Sequence, residues 1–191
     1  MTFDHNDHYH RLLLRQVPPG AGRALDVGCG TGRFAGRLAA RGLEVDAVDP
    51  DAAVIKAARS DRVRFVRGDV TAMELPSGHY DYISCLASLH HVPFGTVSRL
   101  RRSLAPGGVL AVLGCYRESM PSDYLVSLAA IPVNAAARLA LSHRPGPPVT
   151  APVARPAMTL DEVRREAADL LPGARIRRLL FWRYLLVYAK A

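Results

Sequence analysis

The segment Leu25-Asp-Val-Gly-Cys-Gly-Thr-Gly32 constrains this chain more than any other. An apolar run over 23–27 ends in three glycines at alternate positions, and a helical pattern over 33–40 follows. Glycine admits positive φ and lets a ligand approach the backbone closely. In a doubly wound sheet this first strand-to-helix turn is where a nucleotide-like ligand binds. The chain continues in the same rhythm. Strands are predicted over 44–48, 63–66, 80–86 and 109–116. Helices are predicted over 52–59, with Asp51 as N-cap, and over 97–104, closed by Pro106-Gly107-Gly108. Strands alternating with helices at this spacing predict an α/β fold, a mostly parallel sheet covered on both faces.

The rhythm breaks over 117–158. Seven prolines fall there (Pro121, Pro132, Pro145, Pro147, Pro148, Pro152 and Pro156) out of 14 in the chain. So long an insertion in one domain reads as a lid or substrate-binding segment. Its first half carries Leu125, Val126, Leu128, Ile131, Val133 and Leu139, which suits an acceptor that is partly apolar, although packing against the sheet explains them equally well. The run is too interrupted to span a membrane. Beyond it, Thr159 and Glu162 form a capping-box pattern ahead of a helix reaching about Leu171. Two final strands are expected over 174–181 and 184–190.

With 191 residues, the chain is read as one domain, 1–191, able to bury a core without disulfides. Cys29, Cys85 and Cys115 form no C-x-x-C pair, so neither a disulfide framework nor a cysteine zinc site is expected. Residues 1–10 are polar, with no apolar stretch of the secretory kind, and a cytoplasmic setting is expected. The net charge is +8, from 25 Lys+Arg against 17 Asp+Glu. Almost all of these cations are arginines spread along the chain, which reads as background composition rather than a nucleic-acid patch. His5, His8 and His10 do not share one helical face, so no metal is expected there. A flexible polar terminus or a ligand lid is the better reading.

The glycine turn separates two ligand classes. A dinucleotide site calls for G-x-G-x-x-G, but Arg33 stands at the third glycine position and Gly32 comes one residue early. The pattern is D-x-G-x-G-x-G, with Asp26 at the strand end. A carboxylate there repels a pyrophosphate and suits a cationic ligand. Asp49, at the end of the next strand, is placed to accept both hydroxyls of a ribose.

These residues resemble motif I of the class I S-adenosylmethionine-dependent methyltransferases. The resemblance continues in order through Val48-Asp49-Pro50, Gly68-Asp69-Val70, the strand Tyr80 to Leu86, Leu89-His90-His91-Val92, and Leu104-Ala-Pro-Gly-Gly-Val-Leu110. It covers roughly residues 20–115 and the final strand pair, and is nearest in type to the small-molecule, ubiquinone- and menaquinone-biosynthesis-like enzymes. It implies a Rossmann-like, doubly wound, seven-stranded sheet with an antiparallel final strand. It also implies S-adenosyl-L-methionine as cofactor. By resemblance, Asp26, Gly28, Cys29, Gly30 and Gly32 hold the methionine moiety. Asp49 binds the ribose and Pro50 packs on the adenine. Asp69 and Val70 read the adenine edge, and the Leu86 backbone lies near the methionine amino group. Tyr9 or His10 would close over the carboxylate.

His90 and His91 follow the fourth strand at the carboxyl edge of the sheet, where ligands bind, and an imidazole titrates in the right range for a general base. They are the catalytic candidates, with capping of the next helix as the alternative. Tyr116 and Glu118 follow the fifth strand at the same edge. The aromatic run Phe181-Trp182-Arg183-Tyr184 reads as sheet packing rather than a stacking platform. Cys85-Leu-Ala-Ser88 stands where base-modifying methyltransferases carry Asn- or Asp-Pro-Pro-Tyr/Phe, which favours a small-molecule acceptor, as in secondary metabolism, over nucleic acid. A nucleic-acid or protein methyltransferase, a non-catalytic cofactor-binding protein and a nicotinamide dehydrogenase stand as alternatives, in that order. A homodimer is left open.

Overall fold

In the computed structural model, which describes residues 5–58, 60–118, 155–180 and 182–191, with side chains from His8 onward, seven strands join one sheet. They are β1 (Arg23–Val27), β2 (Glu44–Asp49), β3 (Val63–Arg67), β4 (Tyr80–Leu86), β5 (Leu104–Cys115), β6 (Arg175–Leu179) and β7 (Arg183–Ala189). Their order is β3-β2-β1-β4-β5-β7-β6. The first five run parallel, and β7 pairs antiparallel with both β5 and β6. The chain reverses its winding direction between β1 and β4, and that crevice is where open α/β sheets bind ligands.

Helices cover both faces. Leu25 and Val27 of β1 join a core with Val97 and Leu100 of α4 (Thr96–Ser103) and with Val163 and Ala167 of α5 (Leu160–Leu170). Ala24 and Tyr82 face the other way, against Leu13 of α1 (His5–Leu14) and Phe34 and Leu38 of α2 (Arg33–Ala39). The alternation is that of pleated strands whose two faces are both buried. The short α3 (Ala52–Ala57) starts at Asp51, whose carboxylate accepts the Ala53 and Val54 amides at 2.8 and 3.3 Å.

Two elements depart from the sequence reading. Residues 5–14, read as a flexible terminus or lid, form α1. Its polar sequence hides four residues, Tyr9, His10, Leu13 and Leu14, that are buried only once the sheet is present. Its C-terminal carbonyls are taken by the Tyr82 hydroxyl (3.0 Å to Leu13) and by Arg41 (2.6 Å to Leu14). β5 begins at Leu104 rather than at 109. Pro106-Gly107-Gly108, read as a helix stop, lies inside the strand, and the register against β4 shifts between Tyr80 and Tyr82 to absorb it.

Among the described residues no helix is long and apolar enough to cross a membrane. The lid expected over 117–158, with the apolar residues Leu125 to Leu139, lies outside the described residues except at its two roots. There the Arg117 amide donates to Met158 at 2.8 Å, and Arg117 bridges to Thr159.

Candidate active site

The ends of β1, β2 and β4 and the start of α2 enclose a cavity of about 620 Å³. Most of the residues singled out in the sequence line it. The glycine turn contributes Asp26, Gly28, Cys29 and Gly30; β2 ends there in Asp49 and Pro50; Asp69 and Val70 follow β3; Leu86 ends β4 and His91 comes next.

The turn is built to leave room. Gly30 has φ +54°, and a Cβ added to it meets nothing within 4 Å, so it borders open cavity. Gly32 differs. It stands at the N-cap of α2 with φ +79°, and a Cβ there would come within 2.5 Å of the Phe65 ring. It does not line the cavity; its lack of a side chain serves helix–sheet packing.

The carboxylates are in three different environments. Asp26 is only 1% exposed, and its Oδ1 accepts the Ser84 hydroxyl at 2.7 Å. Burial pushes its carboxyl up to about 7, against the opposing hydrogen bonds from Ser84 and the Ala35 backbone. Asp49 spans the turn: Oδ2 accepts the Gly30 amide and Oδ1 the Asp51 amide, each at 3.0 Å. Each oxygen keeps a further lone pair for a ligand hydroxyl. Asp69 is exposed, and its Oδ1 takes the Thr71 hydroxyl at 2.7 Å and the Thr71 amide at 2.8 Å. Those two bonds hold its carboxyl below the ordinary range. So Asp69 closes a local turn and still borders the cavity. The Cys29 thiol is pushed well up, by burial first and then by Asp26 and Asp49, so it stays a thiol near neutral pH.

Four candidates are placed elsewhere. Tyr9 is buried and does not line the cavity; its hydroxyl donates to the Leu180 carbonyl at 3.1 Å. Its neighbour His10 does line it. Consecutive helical residues point about 100° apart, so one of the pair faces the ligand side and the other packs. His90 and His91 divide similarly. Their rings lie 4.1 Å apart in the short 3₁₀ turn Leu89–His91, but only His91, which is exposed, reaches the cavity. Glu118 accepts the Trp182 indole N–H at 2.8 Å, and Tyr116 is buried under Arg178. Neither lines the cavity. Phe181 lies outside the described residues.

The sequence reading missed Ser84 and Ser88. Ser88 lines the cavity and donates to the Val27 carbonyl at 2.7 Å, pinning the end of β4 to the glycine turn. It follows Ala87, a residue with φ +51°. Ser84 is fully buried in the middle of the sheet. A hydroxyl in a run as apolar as Tyr82 to Leu86 is the signal that marks it.

A doubly wound sheet with a glycine turn at its switch point, where four carboxylates (Asp26, Asp49, Asp51 and Asp69) line the cavity against one arginine, Arg33, defines a nucleoside-binding enzyme of the methyltransferase kind. Comparison with known proteins agrees. The methyltransferase-domain family model matches residues 24–108. An uncharacterized methyltransferase of Mycobacterium tuberculosis is 36% identical over 189 residues, covering 96% of this chain and 94% of its own. A trans-aconitate 2-methyltransferase of Paracidovorax citrulli is 36% identical over 110 residues, 54% of this chain and 42% of its own. The S-adenosylmethionine-bound amino pentose methyltransferase of Micromonospora echinaspora shares the fold, with a TM-score of 0.67 at 18% identity over 99% of this chain and 92% of its own. The chain belongs to the methyltransferase family.

Proposed function

We propose that the chain transfers a methyl group from S-adenosylmethionine to a small-molecule acceptor. The observation that carries this reading is the convergence of Asp26, Asp49 and Asp69, from three successive strands, on one cavity floored by the glycine turn. The residues fit the donor. Gly30 leaves a cradle that any Cβ would fill. Asp49 offers paired acceptors for vicinal hydroxyls. Asp26 offers a buried carboxyl to an ammonium. Val70 and Pro50 offer apolar surface to a base, and the Asp69 carboxylate a rim acceptor.

When bound, the donor supplies a strongly electrophilic sulfonium methyl. The protein's share is to align the acceptor and exclude water. His91 is the one catalytic candidate that reaches the cavity. It would take a proton from an acceptor that must lose one, and an acceptor already nucleophilic would leave it idle. A small acceptor is supported by Cys85-Leu-Ala-Ser88 in place of a base-binding motif and by the small acid that the Paracidovorax relative is named for.

The test is calorimetric titration with S-adenosylmethionine, S-adenosylhomocysteine and NADH. Micromolar binding of both adenosyl compounds and none of NADH is expected. Asp49→Ala should weaken adenosyl binding by about 10- to 100-fold, since it removes hydrogen bonds to a charged acceptor. NADH binding in their place overturns the reading.

A further inference from the structure

Ser84 has no evident reason to be where it is. It stands in register with Asp26 across the β1–β4 pair, on the same face, fully buried in a central parallel strand. A hydroxyl there carries a desolvation cost that only hydrogen bonds offset. Its Oγ lies 2.7 Å from Asp26 Oδ1 and 3.4 Å from the Leu25 carbonyl. One hydroxyl proton cannot serve both acceptors.

The conflict disappears if the pair has two states. With Asp26 ionised, Ser84 donates to Oδ1. With Asp26 protonated, the carboxyl donates to Ser84 Oγ, and the Ser84 proton turns to the Leu25 carbonyl. Each state satisfies the buried groups, and the two differ by one proton and a rotation of the hydroxyl. Cysteine or alanine at position 84 would not support both.

We propose that Ser84 is a positioning residue acting through Asp26, which lets this cavity exchange a buried proton for the cationic end of its ligand. The proposal rests on the donor assignment above. The free chain keeps Asp26 largely protonated below neutrality, because burial disfavours the bare carboxylate. A ligand cation at the Asp26 end of the cavity restores the lost solvation and favours the carboxylate. Binding therefore expels the proton. Asp26 is the carboxyl whose surroundings favour such a proton. Asp49 across the β1–β2 pair adds negative charge and favours the protonated form. The Cys29 and Cys85 thiols and the Tyr82 hydroxyl are themselves pushed up and stay neutral. The Ala35 backbone of α2 favours the carboxylate. Arg33, His10 and His91 border the same cavity, and the Asp26→Asn variant below separates release by either imidazole from release by Asp26.

The experiment is calorimetric titration of the full chain with S-adenosylmethionine at pH 5 to 8, in paired buffers of different ionisation enthalpy. Release of nearly one proton per ligand is expected at pH 6 and about half at pH 7, with affinity falling about 50-fold from pH 7 to pH 5. Asp26→Asn should bind more weakly, with neither proton release nor pH dependence. Ser84→Ala should move the midpoint of the profile to higher pH, and Ser84→Thr should restore it; a merely structural serine would lower the melting temperature and leave the midpoint in place. In the ligand-free chain, infrared spectroscopy at pH 6 should show a carboxylic-acid band that Asp26→Asn removes, a reading that needs no ligand and no Ser84 variant. Binding without proton release, or release that persists in Asp26→Asn, overturns the linkage and leaves the donor assignment standing. Failure of S-adenosylmethionine to bind at pH 8 overturns the donor assignment and the linkage with it.

Discussion

At the scale of single residues, two glycines of one motif do different work, and substitution tells them apart. Gly30→Ala sets a methyl group in a left-handed backbone that opens on the cavity. It should cost about 1 kcal/mol of stability from the backbone alone, while adenosyl binding falls sharply. Gly32→Ala adds a collision with Phe65 to the same backbone strain. It should cost about 2–4 kcal/mol in urea denaturation. Equal losses of stability in the two variants would contradict these placements. Asp26 makes a separate prediction. Its folded-state carboxyl is raised to about 7 from an ordinary 3.8. Between those values the folded chain holds a proton that the unfolded chain has lost. The contribution of this group to stability is therefore complete below the unfolded value and is lost as pH rises through about 7. Asp26→Asn should gain stability on the parent, by up to a few kcal/mol, as pH rises from about 4 to about 7, and hold that gain beyond. Parallel denaturation midpoints at pH 5 and pH 8 would show that Asp26 titrates normally.

Elements were legible in the sequence where their signal is local. The Thr159–Glu162 box is an example: both reciprocal bonds form, at 3.3 and 2.7 Å, and the helix starts where the pattern says. The four strands of 23–27, 44–49, 63–67 and 80–86 were legible because buried parallel strands read as apolar runs between glycines and caps. What depends on distant partners was not. α1 offers a polar sequence, and its buried face exists only against Tyr82, Phe34 and Leu38. The start of β5 was hidden because Pro106-Gly107-Gly108 is a local stop signal, which pairing with Tyr80 and Lys190 overrides. The same limit held at the site. Motif spacing placed the carboxylates, but which of Tyr9 and His10, or of His90 and His91, faces the cavity depends on the rotation of a helix against the sheet. α1 offers the sharpest test of such a tertiary dependence. Tyr82→Phe deletes the donor to the buried Leu13 carbonyl and should cost about 1–3 kcal/mol. Amide exchange should quicken chiefly in residues 5–14. Uniform quickening across the sheet would mean that Tyr82 acts on the core instead.

At the scale of the whole molecule, part of the arginine content has an internal explanation. Several of these cations are committed to carbonyls: Arg41 to Leu14, Arg99 to Met73, Arg101 to Leu170, while Lys190 reaches Leu104. These four cations bind backbone carbonyls of their own chain and are not gathered for a polyanion. Within this basic chain the cavity carries four carboxylates, Asp26, Asp49, Asp51 and Asp69, against one arginine, Arg33. That balance of charge favours a cationic sulfonium nucleoside over a pyrophosphate-bridged dinucleotide. The cavity is bounded by β1, β2, β4 and α1 to α4, so a ligand filling it ties together elements from residue 10 to residue 100. Ligand binding should therefore raise the unfolding temperature of the described sheet as one unit. At 100 times its dissociation constant, a ligand that binds only the folded chain stabilises it by about 2.7 kcal/mol. For a chain of this length that is a rise of about 5–10 °C. S-adenosylhomocysteine should produce that rise by scanning calorimetry, in a single transition, and NADH at the same concentration should produce none. A split transition, with only part of the molecule shifted, would show that the cavity bridges two units that unfold separately.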